Sequence, residues 1–271
     1  MYKRQTLRRG IENSRNLITI RIAQYLGMEK VAEIANRTGV MENMPNVLSM
    51  ALGAGETSLI DLTAAYASFV NGGKKVEPSL IDRIQDRRGK NIFLENFAAC
   101  TNCDEPYIEE NPMPKLVNSS ESIFDEAKSY QMVSILKGAV DRGTGRKTKI
   151  NGIEIAGKTG TTNNNTDAWF IGFTSDLIIG VYAGFDKPKS LGKRETGSSV
   201  AVPIFRDFVK NYYQEKPILP FTIPNGIELI KINYDTGEIA SNFNSSESVY
   251  EAFSKSDNLV SSGEILSLIH I

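Results

Sequence analysis

The stretch Gly157-Lys-Thr-Gly-Thr-Thr-Asn163 decides the fold prediction, because apolar segments of strand length lie on both sides of it. We predict strands over Ile153 to Lys158, Ala168 to Phe173 and Leu177 to Phe185 from their length and β-branched or aromatic content. Thr174-Ser-Asp176 is a turn sequence between the last two. The motif is therefore expected on a strand of an antiparallel sheet.

Helical patterns surround these strands. Apolar residues at helical spacing predict five helices. Glycine or asparagine marks the end of some of them, and a proline marks the start of the last. They cover Leu17 to Leu26, Glu29 to Arg37, Ser58 to Val70, Glu126 to Val140 and Val202 to Tyr213. The segments 80–86 and 91–94 read as a small hairpin. Helices, then antiparallel strands, then a helix indicate an α+β fold.

A phosphate-loop pattern overlaps the motif, since Gly152-Ile-Glu-Ile-Ala-Gly-Lys-Thr159 satisfies GxxxxGK[ST]. That chemistry needs a glycine-rich loop that opens directly into a helix. Here Ile153 and Ile155 alternate as in a strand, and Gly160 to Thr166 cannot begin a helix. We therefore interpret the match as accidental and expect no nucleotide site.

Composition excludes several function classes. The 271 residues are 41% hydrophobic and 23% charged, with a formal net charge of −1, so a basic nucleic-acid footprint is not expected. His270 is the one histidine, and Cys100 and Cys103 are the two cysteines. A Ser-His-Asp triad, a Cys-His pair and a zinc site are therefore not expected. An enzyme with this composition would activate its nucleophile without histidine, and we predict no metal and no cofactor.

The two ends of the sequence have an unusual composition. Residues 266–270 are the translation of CTG TCT CTT ATA CAC, and the reverse complement of that string encodes residues 1–5 from a GTG start. We interpret 1–5 and 266–271 as translated adapter sequence from a sequencing library and exclude them from fold reasoning. A natural start and a natural amphipathic tail are the alternative. On the first interpretation the chain is a fragment of a longer protein.

Two further regions stand out along the chain. Residues 95–122 are rich in asparagine, proline, serine and acidic side chains, and we interpret them as a surface insertion. Residues 217–265 contain three prolines and Asp235-Thr-Gly237, which predict a β-containing tail after a domain over 6–216. No stretch has the eighteen or so consecutive apolar residues of a membrane span.

Several blocks in order give a resemblance to a known family. Lys158-Thr-Gly160 follows Ser14-Arg-Asn16, and each is one of the three elements of penicilloyl-serine enzymes. The further blocks are Ala51 to Thr57, Leu62 to Gly73, Asp167 to Phe173 and Glu195 to Gly197. The chain resembles the class A penicillin-binding proteins, above all their 1A group. The resemblance implies the transpeptidase and serine β-lactamase fold, an antiparallel sheet flanked by helices, here incomplete on its N-terminal side.

The resemblance implies an activity for the parent protein. In this family a serine attacks the D-Ala-D-Ala carbonyl of a peptidoglycan stem peptide, and an amine of a second stem peptide resolves the acyl-enzyme into a crosslink. β-Lactams imitate that substrate. The resemblance also implies an upstream glycosyltransferase domain, a membrane anchor at the N-terminal side and a location on the periplasmic face of the bacterial inner membrane. Cell-wall assembly proteins are possible partners, and nucleic acid is not.

The resemblance also implies roles for site residues. Ser14 would relay a proton to the leaving nitrogen, Asn16 would bind the substrate amide, and Lys158 would supply positive charge near the substrate carboxylate. Thr159 and Thr161 would offer hydroxyls to that carboxylate, and the Thr161 N–H would form half of the oxyanion hole. Gly160 would let the substrate lie against the strand. The alternative for Ser14 is that it merely caps a helix.

The nucleophile of the family lies in a Ser-x-x-Lys ahead of Ser-x-Asn, so we expect it outside this chain. Ser134-Ile-Leu-Lys137 and Ser190-Leu-Gly-Lys193 follow Ser14 and have the wrong order. We therefore interpret both as chance matches and expect the chain alone to be inactive.

The cysteine pair leaves alternatives open. The 1A group often has a similar Cys-x-x-Cys in this insertion, which implies a local disulfide between Cys100 and Cys103 in an oxidising compartment. A free, inert pair is the alternative. For the whole protein, a D-Ala-D-Ala carboxypeptidase or β-lactamase relative and a non-catalytic scaffold remain as other hypotheses.

Overall fold

A computed structural model describes residues 6–95, 98–101, 115–118, 120–240 and 248–255. The segments interpreted as adapter sequence, 1–5 and 266–271, lie outside the described residues. Within the proposed insertion, strands β3 (Ala98–Thr101) and β4 (Lys115–Asn118) pair antiparallel.

The helices agree with the predicted ones to within a residue or two, and one short helix precedes them. They are α1 (Leu7–Glu12), α2 (Asn16–Leu26), α3 (Met28–Arg37), α4 (Leu59–Val70), α5 (Glu126–Asp141) and α6 (Val202–Tyr212). Side-chain caps fix three starts, because Thr6 accepts a hydrogen bond from the Arg9 N–H, Ser58 accepts from the Asp61 N–H, and Asp125 accepts from two amides of the first turn of α5.

The central sheet carries the motif. Strands β5 (Ala156–Thr161), β6 (Asp167–Phe173) and β7 (Ile178–Gly184) are antiparallel in the order β5-β6-β7. The turn predicted between the last two is confirmed, since the Thr174 N–H donates to the Leu177 carbonyl at 2.8 Å. Together with the flanking helices, this sheet confirms the α+β prediction.

The first strand begins three residues later than predicted. Ile153 pairs with Ile150 in an isolated bridge across a turn in which Gly152 has a φ of 83°. The segment 153–155 is therefore held by its own turn, and the ladder with β6 starts at Ala156, opposite Phe173. The strand then runs on to Thr161, so the motif lies inside the sheet rather than at the strand's end.

Helices cover both faces of this sheet, and the core lies between. On one face Phe170 is fully buried against Phe205 of α6, with their ring centroids 4.9 Å apart. On the other face Ala156 and Phe173 pack with Val133 and Leu136 of α5. Since cross-strand neighbours share one buried face, this packing fixes the register of β5.

Two hairpins lie outside the sheet. Strands β1 (Arg83–Gln85) and β2 (Asn91–Leu94) form the predicted small hairpin, with every side chain exposed. Strands β8 (Ile227–Asn233) and β9 (Ser248–Ser254) pair antiparallel and bury Ile227 and Ala252 against α5. We call β8, β9 and the turn after β8 the C-terminal hairpin. Among the described helices, none has the length and apolar character needed to cross a membrane.

Candidate active site

Lys158 is the centre of the candidate site. The residue lies in the middle of β5, and its side chain is half-buried. Its ammonium donates to Ser14 Oγ at 2.8 Å and to the Thr159 carbonyl at 3.0 Å. Burial lowers the pKa of Lys158 from 10.5 to about 8, because a cation loses water solvation there. The structure thus brings together a lysine and a serine that are 144 residues apart in the chain.

Ser14 lies in the turn between α1 and α2. Its amide donates to the Ile11 carbonyl at 3.0 Å, and the next amide, of Arg15, donates to Gly10 at 2.8 Å. Ser14 itself has a φ of 54°, in the left-handed region, which costs a residue with a Cβ about 1 kcal/mol or more. Such a backbone persists only where surrounding contacts hold it, and here it aims the hydroxyl at Lys158.

Asn16 is the first residue of α2 and its side chain is exposed. Within the described residues its amide has no hydrogen-bond partner. It lies one residue beyond Arg15, on the same turn as Ser14, so the structure places both motif residues at one end of α2. The alternative role for Ser14, that of a helix cap, is not seen, since α2 begins after Arg15 without a side-chain cap.

The two threonines of the motif point to the opposite face of β5 from Lys158, as alternation along a strand requires. Thr159 Oγ1 is 2.7 Å from Thr144 Oγ1, in the loop after α5. Thr161 Oγ1 accepts from the Gly197 N–H at 3.0 Å. Thr161 is exposed and Thr159 is half-buried, so their hydroxyls lie at the surface beside the strand.

Gly160 lies opposite Trp169 in the sheet, where a side chain would crowd it. Its cross-strand neighbour is Trp169, and a Cβ added at Gly160 would lie 3.1 Å from the Cβ of Trp169. The Trp169 ring in turn lies 4.6 Å from the Tyr182 ring on β7. Unlike the buried Phe170, Trp169 is half-exposed.

The outer edge of β5 pairs with no other strand within the described part of the chain. Free N–H and C=O groups on such an edge can bind an extended peptide by strand addition. The edge carries Lys158, Thr159 and Thr161 along a few residues. The arrangement therefore suits an extended ligand that ends in a carboxylate.

The chemistry available at this site is proton transfer. A lysine with a pKa of about 8 exchanges its proton near neutral pH, which a normal surface lysine does not. Its hydrogen bond to Ser14 supplies a route for that proton through a hydroxyl. Over the described residues, no group of three or more histidine, cysteine, aspartate or glutamate side chains could hold a metal ion.

Two sequence predictions can be compared with this geometry. The phosphate-loop pattern does not open into a helix, as expected, since Lys158 lies within β5 and only a short 3-10 turn (Asn163–Asn165) follows. The backbone of Cys100 lies in β3, but Cys103 lies outside the described residues, so their disulfide stays a prediction.

The two chance Ser-x-x-Lys matches have other partners. Ser134 lies on α5, where its hydroxyl accepts from Arg8 at 2.9 Å. Lys137 is 2.5 Å from the Glu154 carboxylate. The hydroxyl of Ser190, in an exposed loop, accepts from the amide of Gly192. None of these contacts joins a serine to its motif lysine.

Sequence reasoning missed the residues that support the site. Thr144 contacts Thr159, and its amide donates to the Glu12 carbonyl at 3.2 Å. Glu12 is fully buried two residues before Ser14. An acidic residue in a short polar helix predicts exposure, so no sequence signal pointed to it. The Gly143-Thr144-Gly145 triplet was the one available signal for Thr144, because glycines on both sides of a threonine indicate a close backbone approach.

The chain is similar in sequence to penicillin-binding proteins. The model of the penicillin-binding protein transpeptidase domain matches residues 1–210. Penicillin-binding protein 1A of Rickettsia conorii is 46% identical over 240 residues, covering 86% of this chain and 30% of that protein. The same protein of Rickettsia bellii is 42% identical over 260 residues, covering 94% of this chain and 32% of that protein.

Solved structures give the same result. Penicillin-binding protein 1A from Haemophilus influenzae superposes with a TM-score of 0.75 at 29% identity, covering 90% of this chain and 39% of that one. The PonA1 protein from Mycobacterium tuberculosis, solved in complex with penicillin V, has the same fold, with a TM-score of 0.64 at 19% identity over 80% of this chain and 58% of that one. The chain spans about a third of the length of the curated relatives it matches. It belongs to the penicillin-binding protein transpeptidase domain family.

Proposed function

We propose that this chain is the C-terminal part of a serine D,D-transpeptidase that crosslinks peptidoglycan stem peptides. The carrying observation is the 2.8 Å contact between the half-buried Lys158 ammonium and the Ser14 hydroxyl, at a strand edge that pairs with no other described strand. Family membership supports the same activity. In this proposal the nucleophile belongs to a Ser-x-x-Lys outside this chain, and the parent protein also carries a glycosyltransferase domain.

The proposed roles combine the family resemblance with the positions of these groups. Ser14 passes a proton between the nucleophile's lysine and the leaving nitrogen. Lys158 donates a hydrogen bond to the Ser14 hydroxyl and attracts the substrate carboxylate. Asn16, exposed on the same turn, binds the substrate amide. Thr159 and Thr161 offer hydroxyls to the carboxylate, and the Thr161 N–H stabilises the oxyanion. No step in this scheme needs a metal or a cofactor.

Partners and location belong to the same proposal. D-Ala-D-Ala stem peptides and β-lactams bind at the β5 edge, and the PonA1 structure with penicillin V supports the second ligand class for this fold. A membrane anchor on the N-terminal side places the domain at the periplasmic face of the inner membrane, where cell-wall assembly proteins contact it. The compartment is oxidising, so Cys100 and Cys103 form a disulfide there.

The test uses the complete protein obtained from the genomic locus of this sequence. Fluorescent penicillin should label one serine, in a Ser-x-x-Lys ahead of Ser14. The Lys158→Ala variant should be labelled about a hundredfold more slowly, as when a charged donor to a reacting oxygen is removed. The Lys137→Ala variant is the control and should be labelled at the parent rate, because Lys137 contacts Glu154 instead.

Three outcomes would contradict the proposal. Labelling of the present chain alone at Ser134 or Ser190 would locate the nucleophile elsewhere. An unlabelled complete protein would favour a non-catalytic scaffold. With a stem-peptide dimer assay, release of D-alanine without crosslinks would indicate a carboxypeptidase.

A further inference from the structure

Glu12 carries a buried negative charge directly beneath the Ser14 turn. Its side chain is fully inaccessible, and its carboxylate accepts from Arg142 at 2.6 Å, from the Tyr234 hydroxyl at 2.8 Å and from Arg8 at 3.2 Å. The neighbouring backbone is shaped around it, since a Cβ at Gly138 would lie 1.7 Å from the Glu12 Oε1 atom. The carboxylate therefore has one position only.

Arg8 links this carboxylate to the C-terminal hairpin. Its guanidinium, 3% exposed, is 2.5 Å from the Glu251 carboxylate on β9 and also donates to the Ser134 carbonyl at 2.9 Å. Burial lowers the pKa of Arg8, but hydrogen bonds and charges from Glu251 and Glu12 outweigh burial, and the pKa is raised overall. Two cations and two anions thus neutralise each other. Such networks add little net stability compared with apolar packing. The contribution of this one is to hold the side chains that it joins in a fixed geometry.

The turn that carries Ser14 is tied to the same network by its backbone and by Asn13. The Glu12 carbonyl accepts from the Thr144 amide at 3.2 Å. The Asn13 side chain donates to the Tyr234 hydroxyl at 3.1 Å, so that one hydroxyl holds two consecutive residues ahead of Ser14. Because Ser14 has a left-handed backbone, the direction of its hydroxyl depends on the contacts that hold the turn, and these add to the turn's own backbone hydrogen bonds with Ile11 and Gly10.

We propose that Glu12 is a positioning residue: with Tyr234 of the C-terminal hairpin, its buried carboxylate fixes the turn before Ser14 and so sets the hydrogen bond from Lys158. The inference rests on the proposed function only for the role of Ser14 in the reaction. The contact itself is a property of this chain and can be measured in it. A network that only stabilised the fold would leave the Ser14–Lys158 contact unchanged in any variant that still folds.

The experiment follows the pKa of Lys158 by NMR in the present chain, with ¹⁵N-labelled lysine and a Lys158→Arg sample for assignment. If the turn loosens, water reaches the ammonium, and the pKa rises from about 8 toward 10.5. We expect a rise of about one pH unit in both Tyr234→Phe and Glu12→Gln. Asp235→Asn is the matched control. Asp235 follows Tyr234 in the turn after β8, but it forms an ion pair with Arg9 and makes no contact with Glu12 among the described residues. That variant should not raise the pKa.

The sign of the change separates positioning from simple electrostatics. Removing the Glu12 charge at a fixed geometry would lower the pKa of Lys158, because a nearby anion favours the charged form. A lowered pKa in Glu12→Gln, or an unchanged one in folded Tyr234→Phe, would overturn the proposal. If Glu12→Gln fails to fold, Tyr234→Phe, which changes no charge, decides alone. The titration needs neither β-lactam nor nucleophile, so its result is independent of the labelling test above.

Discussion

Replacing Lys158 with methionine should make the protein more stable at neutral pH. The native pKa of Lys158 is about 8 and its ordinary value is 10.5, a difference of 2.5 pH units. At about 1.36 kcal/mol for each unit, holding the charged form in the fold costs about 3 kcal/mol. Methionine has a similar length and no charge, so Lys158→Met should recover most of that cost at pH 7.

The pH dependence gives the sharper measurement. Between pH 8 and 10.5 the unfolded chain binds the lysine proton and the native chain does not, so the stability of the parent protein rises with pH in that interval. The advantage of Lys158→Met should therefore shrink by about 3 kcal/mol from pH 7 to above pH 10. Urea unfolding of both proteins at matched pH values measures the difference, in which the titrations of other lysines cancel.

Lys158→Arg is the control for this reasoning. Arginine keeps its charge throughout the range, so its disadvantage against the parent protein should grow as the parent lysine loses its proton. A difference between Lys158→Met and the parent that is constant from pH 7 to pH 10.5 would refute the argument. So would a methionine variant that is less stable at pH 7, since the burial cost would then not exist.

Three other substitutions test the packing described above, each by urea unfolding. Gly138→Ala should destabilise the fold by about 3 kcal/mol, because its methyl group would occupy the space of the Glu12 carboxylate. A loss below about 1 kcal/mol would mean that α1 and α5 move apart at little cost. Phe170→Ala should cost about 3–5 kcal/mol, since the ring is fully buried beside α6, and an unchanged midpoint would contradict that core. Lys137→Ala should cost less than about 1 kcal/mol, because its ion pair with Glu154 is over a third exposed, and a larger loss would show an additional role for the pair.

Much of the fold could be predicted because local signals agree with the packing. The helix predicted from Ser58 to Val70 is α4, with Ser58 as its N-cap, and Tyr66, Phe69 and Val70 on its apolar stripe are partly buried against the core. The start of β5 was misplaced for a physical reason. Ile153 and Ile155 alternate as a strand does, but pairing with β6 is decided by the Phe173 turn, which lies far along the sequence.

The candidate site was only partly predictable. Lys158 and Ser14 were identified through the family resemblance, because no spacing rule brings residues this far apart into contact. Glu12 and Thr144 were not identified, because burial of an acid depends on its partners. Those partners are Arg142, directly after α5, and Tyr234 in the C-terminal hairpin, and their approach is a property of the tertiary fold.

The ion pair between Arg8 and Glu251 joins residues 243 positions apart, which has a consequence for the order of folding. Contacts between such distant segments close last, since the entropy of loop closure must be overcome before they contribute. During synthesis the Arg8–Glu251 contact therefore cannot form until β9 has left the ribosome. Folding intermediates that lack the C-terminal hairpin also lack the contacts that Tyr234 and Glu251 make with Glu12 and Arg8, ahead of Ser14.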